Sequence, residues 1–144
     1  MDKDIDKAKL LLKGGKYTLA LCKDDKVYTD DGRGLSALIR LIKTKFDLTG
    51  FSAADKVVGK AAAMLLVLCG VVEIYAATIS KPAVAFLKEN GVKYSYDTLT
   101  DEIMNATGTA PCPMEQAVKN ISDPAAAFTA IEKTVERIKS KSTD

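Results

Sequence analysis

Apolar residues recur along this chain with two different periods, and the switches between them divide it into elements. Ile5, Ala8 and Leu12 stand at helical spacing among Asp and Lys, which predicts a short amphipathic helix. Gly14-Gly15 ends it, Gly14 suiting a left-handed C-terminal position. The β-rich runs Tyr17 to Cys22 and Val27 to Thr29 flank Lys23-Asp24-Asp25-Lys26, a composition that suits a tight antiparallel hairpin. Beyond Asp30-Asp31-Gly32-Arg33-Gly34, the residues Leu35, Leu38, Ile39 and Ile42 mark one face of a helix whose other face carries Arg40 and Lys43, so this helix is expected to lie on the sheet.

Ser52-Ala53-Ala54-Asp55 has the spacing of an N-cap with an acidic residue at the third helical position, and predicts a helix from Ser52 to Cys69 with Gly70 as its stop. From Ala61 to Cys69 this segment is apolar on every side, which places it in the centre of a layered domain. Val71 to Thr78 predicts a strand, Ser80 to Asn90 a helix stopped by Gly91, and Lys93 to Tyr96 another strand. Together they make a βαβ unit with parallel strands, the core of an α/β sandwich. Thr98 to Pro111 is the least periodic stretch. Cys112-Pro113 and Asp123-Pro124 each open a helix, since proline suits a first turn, and Phe128, Ile131, Val135 and Ile138 form the expected buried stripe of the last one. The reading is one domain over residues 1–140, with 141–144 a frayed tail.

Composition narrows the class. The 144 residues are 47% apolar and 28% charged, an ordinary globular balance. With 21 basic against 19 acidic residues, the net charge of +2 gives no broad footprint for a nucleic-acid backbone. Cys22, Cys69 and Cys112 are an odd number without paired spacing and no charged-then-apolar leader opens the chain, so a cytoplasmic location is expected and the sequons at Asn105 and Asn120 are chance matches. The longest apolar run, Ala61 to Val72, falls short of the ~20 residues that span a bilayer.

The chain has no histidine, which removes the commonest general base and the commonest metal ligand together. Chemistry here rests on lysine, carboxylate, cysteine or backbone amides. Lys56 and Lys60, four apart in the expected helix, share a face near its start, where the dipole disfavours positive charge. An anion held between them and the exposed amides would offset that, and the alternative is that both reach into solvent. Asp55 is either the cap of that helix or a ligand contact. Gly59, a poor helix former, implies close approach of a ligand or a neighbouring backbone. Cys112 at a helix start is a nucleophile candidate, since free amides and the dipole lower a thiol's pKa, with Lys60 or Glu115 as its base. Otherwise it is a packing residue. Arg33 offers a forked donor to a carboxylate or phosphate, or is part of a plain turn.

Asp55 to Ala63, the Gly70 to Ala76 strand, the Ser80-Lys81-Pro82-Ala83 helix start and Cys112 to Val118, taken together and in this order, resemble an uncharacterised prokaryotic family, a domain of unknown function with a cytidine-deaminase-like fold. The resemblance implies a three-layer α/β/α sandwich with a five-stranded mixed sheet. It does not carry the zinc chemistry. Zinc deaminases need His or Cys followed by Glu on one helix and Pro-Cys-x-x-Cys on the next. At those places this chain has Gly59-Lys60-Ala61 and Ser80-Lys81-Pro82-Ala83, and Pro111-Cys112-Pro113-Met114 holds one thiol.

The expectation is therefore an α/β protein with a metal-free, cofactor-free pocket that binds a small anionic metabolite, a nucleotide or other phosphorylated compound. Lys56, Lys60, Arg33, Asp55 and Gly59 bind the ligand, and any catalysis falls to Cys112, Lys60 and Glu115. Enzymatic activity is left open, zinc-dependent deamination excepted. Neither nucleic acid nor membrane is a partner, a second copy of the chain is admitted, and a non-enzymatic regulatory or interaction module is the competing class.

Overall fold

The computed structural model describes residues 3–32, 34–105 and 107–142. The elements in chain order are α1 (Lys3–Lys13), β1 (Leu19–Lys23), β2 (Lys26–Asp30), α2 (Ser36–Lys43), β3 (Ser52–Val58), α3 (Lys60–Leu68), β4 (Glu73–Ser80), α4 (Lys81–Glu89), β5 (Lys93–Thr100), α5 (Pro113–Val118) and α6 (Pro124–Ser142). The five strands form one mixed sheet in the order β2-β1-β3-β4-β5. β1 pairs antiparallel with β2 and β3, while β3, β4 and β5 run parallel. The expected hairpin and the βαβ unit of β4, α4 and β5 are both present.

Alternate residues of the strands feed two separate cores. Ala20, Cys22, Ala54 and Tyr75 meet Ile5, Ala8 and Leu12 of α1 on one face. Leu19, Leu21, Ala53, Ile74 and Ala76 meet α2, α3 and α4 on the other. α5 and α6 pack on each other and on α3 rather than on the sheet. This arrangement accounts for the all-round apolar composition of α3: it is covered by strands beneath, α2 and α4 beside it, and α6 outside, and every residue from Ala61 to Leu66 is buried. A helix enclosed in this way has no polar face to keep.

The helix expected from Ser52 is corrected. Ser52 to Val58 is a strand in the interior of the sheet, and the helix starts only at Lys60. Ser52 and Asp55 are therefore not a cap and its partner, and Lys56 and Lys60 do not share a helical face. Ala53 and Ala54 are fully buried on opposite faces, where helices close in from both sides and leave room for little more than a methyl group. Tertiary packing has overridden the low strand propensity of alanine. Gly70 does end α3 as expected, in the left-handed region at φ 93°, where a side chain would collide with the Thr49 backbone.

Other boundaries shift less. The first helix ends through Gly15 at φ 85° rather than Gly14. β5 continues to Thr100. Ser80 caps α4, its hydroxyl accepting from the Ala83 amide at 3.2 Å, and Asp123 caps α6 through Ala126 at 3.0 Å. On α6 the buried positions are Ala127, Ile131 and Thr134, with Phe128 and Val135 half-buried and Ile138 exposed. Its helical conformation runs to Ser142, into the stretch expected to fray.

Candidate functional site

The parallel strands β3, β4 and β5 end on one side of the sheet, the side at which open α/β sheets present crevices to ligands. β3 ends in Val58-Gly59 and passes directly into α3, whose first amides face α5. There the Glu115 carboxylate accepts from the Lys60 amide through Oε1 and from the Ala61 amide through Oε2, both at 2.8 Å. A side chain on another helix thus caps α3, serving the amides that no residue of its own segment reaches. Lys60 reciprocates by donating its Nζ to the carbonyl of Lys119, the C-terminal residue flanking α5, at 3.2 Å. Each helix satisfies the other's unpaired end.

Gly59 explains itself in this setting. Its backbone is extended at φ −92°, so conformation does not require glycine, but a Cβ there would lie 2.5 Å from Glu115 Oε1 and 2.7 Å from Oε2. What comes close to Gly59 is not a neighbouring backbone but this side-chain carboxylate. The first amides of α3 are thus served by a carboxylate of the protein itself.

Two clefts open beside the α3–α5 junction. The smaller, about 620 Å³, is lined by Lys60, Phe86, Glu89, Glu102, Gln116 and Lys119 among others. The larger, about 1220 Å³, lies between α2 and the α5–α6 pair above β1 and β3. Its walls are mostly apolar, with Leu35, Leu38, Ile39, Ile103, Met104 and Ile138, and Asp55, Lys56, Gly59 and Cys112 also line it. Among the described residues, Glu115 alone lines both. The structure therefore gathers Asp55, Lys56, Gly59, Cys112 and Glu115 around one cleft and turns Lys60 to the other, so Lys60 and Cys112 do not converge. Arg33 lies outside the described residues.

Asp55 is the electrostatic anomaly of the larger cleft. It sits half-buried in the middle of β3, opposite Leu19 of β1 and Ala76 of β4, and makes no ion pair with any described residue. Burial in these surroundings pushes its carboxyl pKa up to about 7, against a smaller opposing pull from the backbone amides of Val57 and Lys56. A carboxyl held near neutrality beside a large cavity is a candidate binding or acid–base group. The sequence held a signal for its true setting in the β-branched pair Val57-Val58 before Gly59, which closes a strand better than it continues a helix.

Among the described residues, cationic groups outnumber carboxylates around this cleft. Arg40, Lys43, Lys56 and Lys139 line it against Asp30, Asp55 and Glu115. Arg40 is taken up by Asp30 at 3.2 Å and by the Tyr28 hydroxyl, and Lys43 pairs with Glu132. Among the described residues Lys56 is exposed with no side-chain partner. Cys112 is the half-buried residue flanking the start of α5, and its own thiol caps nothing. Among the described residues, no three His, Cys, Asp or Glu side chains lie close enough together to hold a metal ion, and no helix is long and apolar enough to cross a membrane.

Residues 7–135 match the family described as domain of unknown function DUF1893. The chain belongs to the DUF1893 family. A DUF1893 family protein from Thermotoga maritima, whose crystal structure was determined at 2.70 Å, is 27% identical, with a TM-score of 0.80 over 95% of this chain and 92% of that one. No curated protein matches the chain. Membership of DUF1893 bears out the resemblance to a domain of unknown function, and the five-stranded mixed sheet with its helices bears out the α/β expectation.

Proposed function

We propose that this DUF1893 protein binds a small anionic metabolite, a nucleotide or other phosphorylated compound, in the larger cleft. The observation that carries the reading is that cleft itself: an apolar-walled cavity at the carboxyl end of β3, floored by the Asp55 carboxyl and bearing an uncommitted lysine, Lys56. Apolar walls suit a flat organic body, and Lys56 suits its charge. Lys60 is not part of this site, since it opens on the other cleft and holds α5. The pocket uses neither metal nor cofactor. We further read α1, the sheet and α2 to α4 as the three layers of a cytidine-deaminase-like sandwich, with α5 and α6 as an outer cover.

Thermal-shift measurements with nucleoside monophosphates and other phosphorylated metabolites test the reading. A ligand at a hundredfold excess over its dissociation constant should stabilise the protein by about 2.7 kcal/mol. Lys56→Ala should weaken that response and Lys60→Ala should leave it in place. An unchanged melting temperature across the panel would remove the ligand site.

One observation favours the competing reading, a non-enzymatic module. The trio Cys112, Lys60 and Glu115 is divided between two clefts, and both Glu115 oxygens are engaged by backbone amides, so neither Lys60 nor Glu115 is placed to serve the thiol as its base. This supports ligand binding without chemistry.

A further inference from the structure

The chemistry of Asp55 narrows the ligand class, on the footing that the larger cleft is the binding site. Around that cleft, the charged groups that face it are Asp30 from β2, Arg40 and Lys43 from α2, Lys56 from its own strand, Glu115 from α5 and Lys139 from α6. None of them forms an ion pair with Asp55. Asp30 serves Arg40, Glu132 serves Lys43, and the α3 amides serve Glu115. Among the described acids of the cleft, Asp55 at the floor is thus the one that neither a cation nor a helix start serves, and Lys56 is likewise uncommitted. A carboxyl in such a place keeps its proton near neutrality, and a protonated carboxyl is a donor and an acceptor side by side.

That pairing has one natural counterpart. A cyclic amide or an amino-imine edge presents an acceptor next to an N–H donor, and meets a carboxylic acid through two parallel hydrogen bonds. A cationic group would instead require the carboxylate, and would enter past the uncommitted Lys56. We propose that Asp55 is the specificity-determining residue of the larger cleft and that, as a carboxylic acid, it reads the amide-like edge of a phosphorylated heterocycle. Binding then takes up a proton, and affinity declines as pH rises above neutrality, because only the protonated form offers the donor.

Titration calorimetry with uridine 5′-monophosphate, 3-methyluridine 5′-monophosphate and ribose 5-phosphate tests this between pH 7 and 8.5. The three share a phosphate, but the second has lost the N–H of its edge and the third has no heterocycle. Uridine monophosphate should bind at least about tenfold more tightly than the other two, and its affinity should fall about tenfold over that range. Asp55→Asn keeps a donor beside an acceptor without titrating, so it should bind at pH 8.5 at least as well as the wild type does at pH 7. Asp55→Ala should bind all three alike. Equal, pH-independent affinity for the three compounds would overturn the role of Asp55 while leaving an anion site in place. Absence of binding by all three would overturn the anion site, and the inference with it.

Discussion

Gly59→Ala is expected to be destabilising solely because of Glu115. The residue is extended, with φ and ψ of −92° and −178°, which alanine adopts without strain. The added methyl would lie 2.5 to 2.7 Å from three atoms of the Glu115 carboxylate, so the carboxylate must leave the α3 amides. It then gives up two bonds of 2.8 Å. Charge-assisted hydrogen bonds are worth roughly 1.5 to 3 kcal/mol each, but two that share one half-buried carboxylate do not add fully, so a loss of about 2 to 3 kcal/mol is expected. Exchanging glycine for alanine in front of the first helical residue contributes a few tenths more, offset by the lower entropy of the unfolded alanine chain. With about 2.1 cal/mol/K of unfolding entropy per residue over this chain, the loss corresponds to a fall of roughly 8 °C in melting temperature. Glu115→Ala should cost about the same, and Gly59→Ala in a Glu115→Ala background should cost less than about 0.5 kcal/mol, because the methyl then enters vacated space. Urea unfolding of the four proteins followed by circular dichroism closes the cycle. Equal costs of Gly59→Ala in the two backgrounds would refute the cap.

Three further outcomes follow from the titrating and reactive groups. Folded Asp55 holds its proton up to about 7, whereas the unfolded chain releases it near 3.9. Its stabilising effect is thus complete below that lower value and lost as pH rises through the upper one, a change of roughly 4 kcal/mol that urea melts should show in the wild type relative to Asp55→Asn. Tyr75 donates to Asp97 at 2.5 Å beneath the Lys9 and Lys13 ammonium groups, and burial first, then Asp97, pushes its phenol to about 12. Tyr75→Phe should lower stability by about 1 to 2 kcal/mol, and in ultraviolet titration of the wild type Tyr75 should ionise last. Burial raises the Cys22 thiol, and pushes Cys69 to about 11, so brief iodoacetamide treatment at neutral pH followed by peptide mapping should find Cys112, on the rim of the larger cleft, modified first.

Local pattern made most of the fold legible and failed where environment decides. The hairpin, α2, the β4–α4–β5 unit and the proline-opened helices were readable because a half-buried element shows its period in sequence. β3 was not, because a strand covered on both faces by close-packed helices has no polar side to alternate with. Its Ser52-Ala53-Ala54-Asp55 then imitates the start of a helix. The residues of the candidate site were readable as a set, since lysine, carboxylate, cysteine and an unexplained glycine stand out in a chain without histidine. Their grouping was not. Glu115 reaches Lys60 across 55 positions, and nothing local in either segment announces a cap supplied from another helix.

The Glu115 cap also decides where a ligand's charge belongs. Among oriented amides near the two clefts, those at the start of α3 offer the most favourable seat for an anion, and the usual reading of lysine and glycine at a helix start would place a phosphate there. In this fold that seat holds α5 against α3, with Lys60 closing the contact from the other side. A phosphate could take it only by unseating the carboxylate and exposing the face of α5 that contributes Val118 to the core. Displacement therefore trades one anion for another of similar hydrogen-bonding power and forfeits packing besides. The charge of an incoming ligand is better met at Lys56, whose side chain has no partner to lose among the described residues, and the heterocycle at Asp55, on the neighbouring position of the same strand.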